Sequence, residues 1–92
     1  MLEVTYARHL GDYTVLLRFN DGIEGPVDLK DALWGPVFEP LKQVEFFGKL
    51  TLSESLGTIT WPNEADFAPE FLKDKLIEQR DSHAEKQRGG VK

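Results

Sequence analysis

Cysteine is absent from this 92-residue chain, which excludes disulfides, thiolate metal ligands and thiol nucleophiles. No apolar run approaches the roughly 20 residues of a membrane-spanning helix, and no charged-then-apolar leader opens the sequence. Histidine occurs only as His9 and His83, and serine only as Ser53, Ser55 and Ser82. None of these serines lies in a nucleophile-elbow context. A Ser-His-acid triad would therefore have to use His9, with no serine placed beside it, and His9 reads as a strand-end surface residue. Gly22-Ile23-Glu24-Gly25 sets an acid where a phosphate would approach, so it reads as a turn and not as a phosphate cradle. These absences lead us to expect a cytoplasmic domain with no catalytic residue, no bound cofactor and no metal.

Basic residues are also scarce where the sequence is richest in apolar ones. Residues 1–72 hold five Lys or Arg against twelve Asp or Glu, while residues 73–92 hold six against four. Nucleic-acid affinity rests on clustered cations that release counterions, so an acidic body argues against direct nucleic-acid binding. The same field draws in a basic partner, although net charge also serves simply to keep a small domain soluble. Lys86, Arg88 and Lys92 at the chain end are too few and dispersed for more than weak, salt-sensitive contact.

What is present begins as strands. Val4 to Arg8 and Tyr13 to Phe19 are β-branched and aromatic, and Tyr13, Val15, Leu17 and Phe19 share one face at period two. Leu10-Gly11-Asp12 and Asn20-Asp21-Gly22 supply turns. A third strand over Ile23 to Val27 is interrupted by Gly25-Pro26 and so should lie at an edge, bulge, or end early. Asp28 caps a short helical segment through Leu33, and a second starts at Pro40 with Phe38, Leu41 and Val44 as its apolar side. Phe46 and Phe47 lead back to an extended run, and Leu50 to Leu52 with Thr58 to Trp61 form a second hairpin. From Pro69 a longer helix carries Phe71, Leu72, Leu76 and Ile77 as its buried stripe and fades near Arg80. The expectation is an α+β fold. A small antiparallel meander sheet, in the order β-β-β-α-β-β-α with both hairpins in one sheet, packs on a C-terminal helix. Residues 1–80 form the single domain and 81–92 a flexible tail.

In this order the segments resemble a family of short bacterial proteins, domain of unknown function 2442. The match rests on Val15-Leu16-Leu17-Arg18-Phe19-Asn20-Asp21-Gly22, Val27-Asp28-Leu29 and Phe38-Glu39-Pro40-Leu41. It continues through Phe46, Gly57-Thr58-Ile59-Thr60-Trp61-Pro62-Asn63 and Asp66-Phe67-Ala68-Pro69-Glu70-Phe71-Leu72, spanning roughly residues 2–77. The resemblance implies a sheet-and-helix domain with no established enzymatic activity. Some relatives look like partners in toxin–antitoxin-type gene pairs. The chain departs from them at Glu64-Ala65, where relatives often carry glycine after asparagine.

The candidate partner-binding residues are Trp34, Glu24, Pro26, Asn63, Glu64 and Asp66. Trp34, before Gly35-Pro36, either anchors a partner through its large area and polar N–H or folds back as a lid on the core. A small domain needs its aromatics, which favours the lid. Asn63, Glu64 and Asp66 crowd one loop without calcium-loop spacing, so Asp66 is expected to organise the approach to the last helix. The function this pattern suggests is a non-enzymatic protein-interaction module, antitoxin-like, covering a basic protein by strand addition at the third strand or through Trp34. The same edge would serve a homodimer. The alternative is a small-ligand or enzymatic domain whose pocket, between sheet and helix, gathers Asp12, Asn63, Glu64 and Asp66.

Overall fold

Alternation in the second strand creates one dry face, and the rest of the chain is arranged to cover it. In a computed structural model, which describes the backbone of residues 1–91 and the side chains of residues 1–82, Val15, Leu17 and Phe19 are buried. They lie on β2 (Thr14–Phe19), flanked by antiparallel β1 (Val4–Gly11) and β3 (Glu24–Asp28) in the order β1-β2-β3. Val27 pairs with Val15, so it adds to the same face, and Gly25 pairs with Leu17. Gly25 has no side chain, and Leu76 of the last helix packs directly over it. The opposite face carries Tyr6, Arg8, Arg18, Glu24 and Pro26, all exposed.

After β3 the chain makes two 3-10 turns, Lys30–Ala32 and Glu39–Lys42, and a single helical turn α1 (Val44–Phe47). A second hairpin, β4 (Thr51–Ser53) and β5 (Thr58–Thr60), precedes α2 (Pro69–Val91). No helix among the described residues is long and apolar enough to cross a membrane. The architecture is α+β as expected, with three corrections. The two hairpins form separate sheets. They touch along β1, but the Val4 N–H to Gly57 C=O bond (2.8 Å) is the one backbone bond joining them, because β1 shifts register between Val4 and Tyr6 and turns away. Phe47 sits in α1 instead of an extended run, and its ring is fully buried. The last helix continues past Arg80 to Val91: Ala84 to Arg88 are good helix formers and no proline interrupts the run, although Gly89 and Gly90 are poor ones. The basic side chains Lys86, Arg88 and Lys92 lie outside the described residues.

Phe47 joins the two sheets. Its ring meets His9 and Tyr13 of the first hairpin edge-on at 5.5 and 5.4 Å, and Trp61 of the second at 5.5 Å. Its carbonyl accepts the Trp61 indole N–H at 2.8 Å, a buried bond. His9 is thus a half-buried packing residue whose Nε2 lies 2.8 Å from the Asp12 carbonyl, not a free surface imidazole. On α2, Leu72 and Leu76 face the core, whereas Phe71 leaves the expected stripe and is 39% exposed. Lys73 anchors the helix to the β2–β3 turn through an ion pair with Asp21.

Two outcomes follow from these contacts. Trp61→Phe keeps an aromatic ring but removes the buried indole bond, leaving the Phe47 carbonyl only the longer bond from the Leu50 N–H at 3.3 Å, and should cost about 1–2 kcal/mol in denaturant midpoint analysis. The Lys73 ammonium, aided by the Ile23 N–H, holds the Asp21 carboxyl below the ordinary carboxylate value. A depressed carboxyl stabilises the fold above its unfolded-state pKa and loses that contribution as pH falls through the folded one. Asp21→Asn should therefore be less stable than wild type near neutrality, with the gap closing on acidification below about pH 4. A gap that instead widens in acid would contradict this ion pair.

Candidate functional site

Residues 28–38 are pinned along their length, yet they leave two apolar side chains in water. Leu29 and Leu33 are buried, the Leu29 N–H donates to Tyr13 C=O (2.9 Å), and Asp28 Oδ1 accepts the Lys30 N–H (2.9 Å). Gly35, at φ +92°, then reverses the chain in a region open chiefly to glycine. Its carbonyl accepts the N–H groups of Phe38 and Glu39, both at 3.1 Å. From across the fold Asn63 Nδ2 donates to Val37 C=O at 2.9 Å. Within this held segment Trp34 is 75% exposed and Val37 54% exposed. Trp34 is therefore not a lid. Leu29, Ala32 and Leu33 already fill the core beneath the segment, and the turn at Gly35 follows before the indole can fold back.

Beside this segment three phenylalanines form a column. Phe38 stacks on Phe67 at 4.7 Å and 14°, and Phe67 on Phe71 at 5.3 Å and 12°. Phe67 in the middle is buried, whereas Phe38 is half-buried and Phe71 exposed. Phe67 precedes the helix start at Pro69, so its contact with Phe71 does the work of a staple, fixing how the chain enters α2. Lys75 Nζ lies 5.9 Å from the Phe71 ring centre.

The acidic loop serves local structure. Asn63 Oδ1 accepts the Ala65 N–H (3.3 Å) while its amide holds Val37. Glu64 is exposed at φ +68°, a left-handed conformation that favours glycine. Asp66 pairs with Thr60 as an isolated bridge, leading the chain toward α2. Glu64 and Asp66 form no ion pair among the described residues.

Glu24 and Pro26 sit elsewhere, on the terminal strand of the first sheet. Because Ile23 and Leu29 exchange bonds with Phe19 and Tyr13, the alternation of an antiparallel ladder turns the peptide groups of Glu24, Pro26 and Asp28 outward. Pro26 has no N–H to offer. At Asp28 both groups are taken by a side chain: its N–H donates to Gln79 Oε1 (2.9 Å), and its C=O accepts from Gln79 Nε2 (2.8 Å). A glutamine amide thus occupies the place of a neighbouring strand's peptide group. Glu24 is itself engaged, 3.3 Å from Arg18, whose guanidinium lies over Tyr6. This edge is blunted at Pro26 and Asp28, in the way natural sheets guard against stray pairing.

Between β3 and α2 lies a groove of about 470 Å³ lined by Thr14, Glu24, Pro26, Leu76, Gln79 and Arg80, among others. A hollow between sheet and helix is therefore present, but Asp12, Asn63, Glu64 and Asp66 are not among its lining residues. The structure brings Trp34 and Asn63 to one region and puts Glu24 and Pro26 in another. Val37 and Gln79 were not singled out by sequence, and Phe71 was expected in the buried stripe; its i, i+4 spacing from Phe67 was the available sign of their stacking.

A one-sided meander sheet, a second hairpin and a covering helix define a small α+β domain, with Trp34 the most exposed of its aromatic side chains among the described residues. A family model described as protein of unknown function (DUF2442) matches residues 4–78, and the chain belongs to that family. No curated protein and no solved structure matches it.

Replacing Gln79 tests the blunted edge directly. Gln79→Ala should release the Asp28 amide to rapid hydrogen exchange and cost about 1–2 kcal/mol. Unchanged protection of Asp28 would mean that another group covers it.

Proposed function

We propose that this domain is a non-enzymatic protein-interaction module that docks a partner protein through the Trp34 segment. One observation carries this: an indole 75% exposed on a backbone that is otherwise tied down. A large, stiff aromatic held in place binds with little ordering cost, which is why tryptophan is so frequent among binding hot spots. Val37, three residues further on, adds a second exposed apolar side chain to the same segment. Docking is by side chains and not by strand addition, since Gln79 and Pro26 blunt the β3 edge. The role that fits such a surface is steric cover of another protein in the cytoplasm, as by the antitoxin-like member of a bacterial gene pair. Such a role requires no cofactor and no contact with nucleic acid by the domain itself.

Affinity capture from extracts of the native cell tests the proposal with three versions of the full chain. Wild type and Gln79→Ala should recover the same stoichiometric protein, and Trp34→Ala should lose it. Loss of about 2 kcal/mol or more on truncation is the mark of a hot spot. Equal recovery by Trp34→Ala would remove the Trp34 segment as the docking site, and recovery lost only in Gln79→Ala would return the contact to β3.

A further inference from the structure

The aromatic column ends on the half-buried Phe38, and acidic residues adjoin that end in the chain. At the Phe71 end a cation is already in place, the ammonium of Lys75 at 5.9 Å. At the other end Phe38 is half-buried and has no cation or further ring on it among the described residues. Two acidic residues are tied to this end through the chain. Glu39 follows Phe38 in the chain, and Glu64 follows Asn63, whose amide holds the Val37 carbonyl. Glu39 has only an exposed i, i+3 ion pair with Lys42 at 3.3 Å, a contact that costs little to exchange. Glu64 has no ion pair among the described residues.

We infer that the Phe38 end of the column receives an arginine from a basic segment of the partner protein, with its guanidinium stacked on the Phe38 ring between Glu39 and Glu64. This rests on the docking of a protein at Trp34 and adds the chemistry of what docks. The column favours arginine over lysine because its rings are nearly parallel, within 14° and 12° of each other, so the next member that continues it is a flat plate. A guanidinium is planar, weakly hydrated and able to donate to carboxylates from its rim while its face lies on a ring. An ammonium is compact and strongly hydrated and gains less from the same place. The acidity of residues 1–72 adds long-range attraction for such a segment and speeds its arrival.

The probe is a short peptide with two arginines separated by glycine, titrated into the full chain and followed by the Trp34 indole and Phe38 resonances. The expected result is saturable shifts at those two residues, with binding at least about threefold tighter than for the lysine version. Glu39→Gln combined with Glu64→Gln should weaken binding about tenfold or more, while Glu54→Gln combined with Glu78→Gln, which removes the same charge elsewhere, should leave it nearly unchanged. Equal weakening by both pairs, no preference for arginine, or shifts scattered over all acidic residues would overturn the inference. If Trp34→Ala abolishes capture of the partner but Glu39→Gln with Glu64→Gln does not, docking at Trp34 stands and the arginine site fails. If neither change affects capture, both fail.

Discussion

The indole N–H of Trp61 donating to the carbonyl of Phe47, with the Phe47 ring held between Trp61, Tyr13 and His9, is what makes one domain of two hairpins. The sheets have almost no backbone bonds in common, so their relative position depends on side-chain packing and this buried bond. A bond of that kind contributes modestly when made and costs more when one partner is missing, so it specifies position as well as stability. Tyr13 reinforces it by donating its hydroxyl to the Lys42 carbonyl, tying the first hairpin to the turn that leads into α1. The fold tolerates two small sheets because this aromatic centre takes the place of a continuous ladder.

With the centre filled by Phe47, Trp61, Leu17 of β2, Val27 of β3 and the leucines of α2, some apolar groups are left outside it. Trp34 and Val37 are such groups: their segment is fixed by Gly35, Asn63 and the buried Leu29 and Leu33, but the core beneath is complete. Exposure of a rigid aromatic is thus a direct consequence of how the interior is packed. The opposite arrangement holds at β3, where peptide groups that would invite another strand are withdrawn by Pro26 and Gln79. A large aromatic side chain is left in water on one segment, while the β3 edge is blunted by Pro26 and Gln79.

Much of this was legible in the residues. Alternation placed Val15, Leu17 and Phe19 inward, Asn20-Asp21-Gly22 turned the chain, Pro26 marked β3 as an edge, bulged or early-ending strand, and Pro69 opened the helix. These are local effects, set by backbone sterics and by which face of a short element is apolar. Phe47 was misread because a single helical turn is too short for its period to show, and the break between the sheets was missed because it depends on a register shift in β1. Phe71 has helical spacing from Leu72 and Leu76 only approximately, and its partner Phe67 lies outside the helix.

By itself, the order of residues determined the class of fold, the number of strands, the absence of thiol chemistry and the acidity of residues 1–72, since each depends on neighbours in the chain or on composition alone. Only the tertiary structure decided that Trp34 faces water, that Gln79 blunts β3 from 51 residues away, and that Asn63 is spent on holding Val37. Those outcomes depend on which groups reach a finite interior or an unpaired peptide first, and chain neighbours carry no record of that competition.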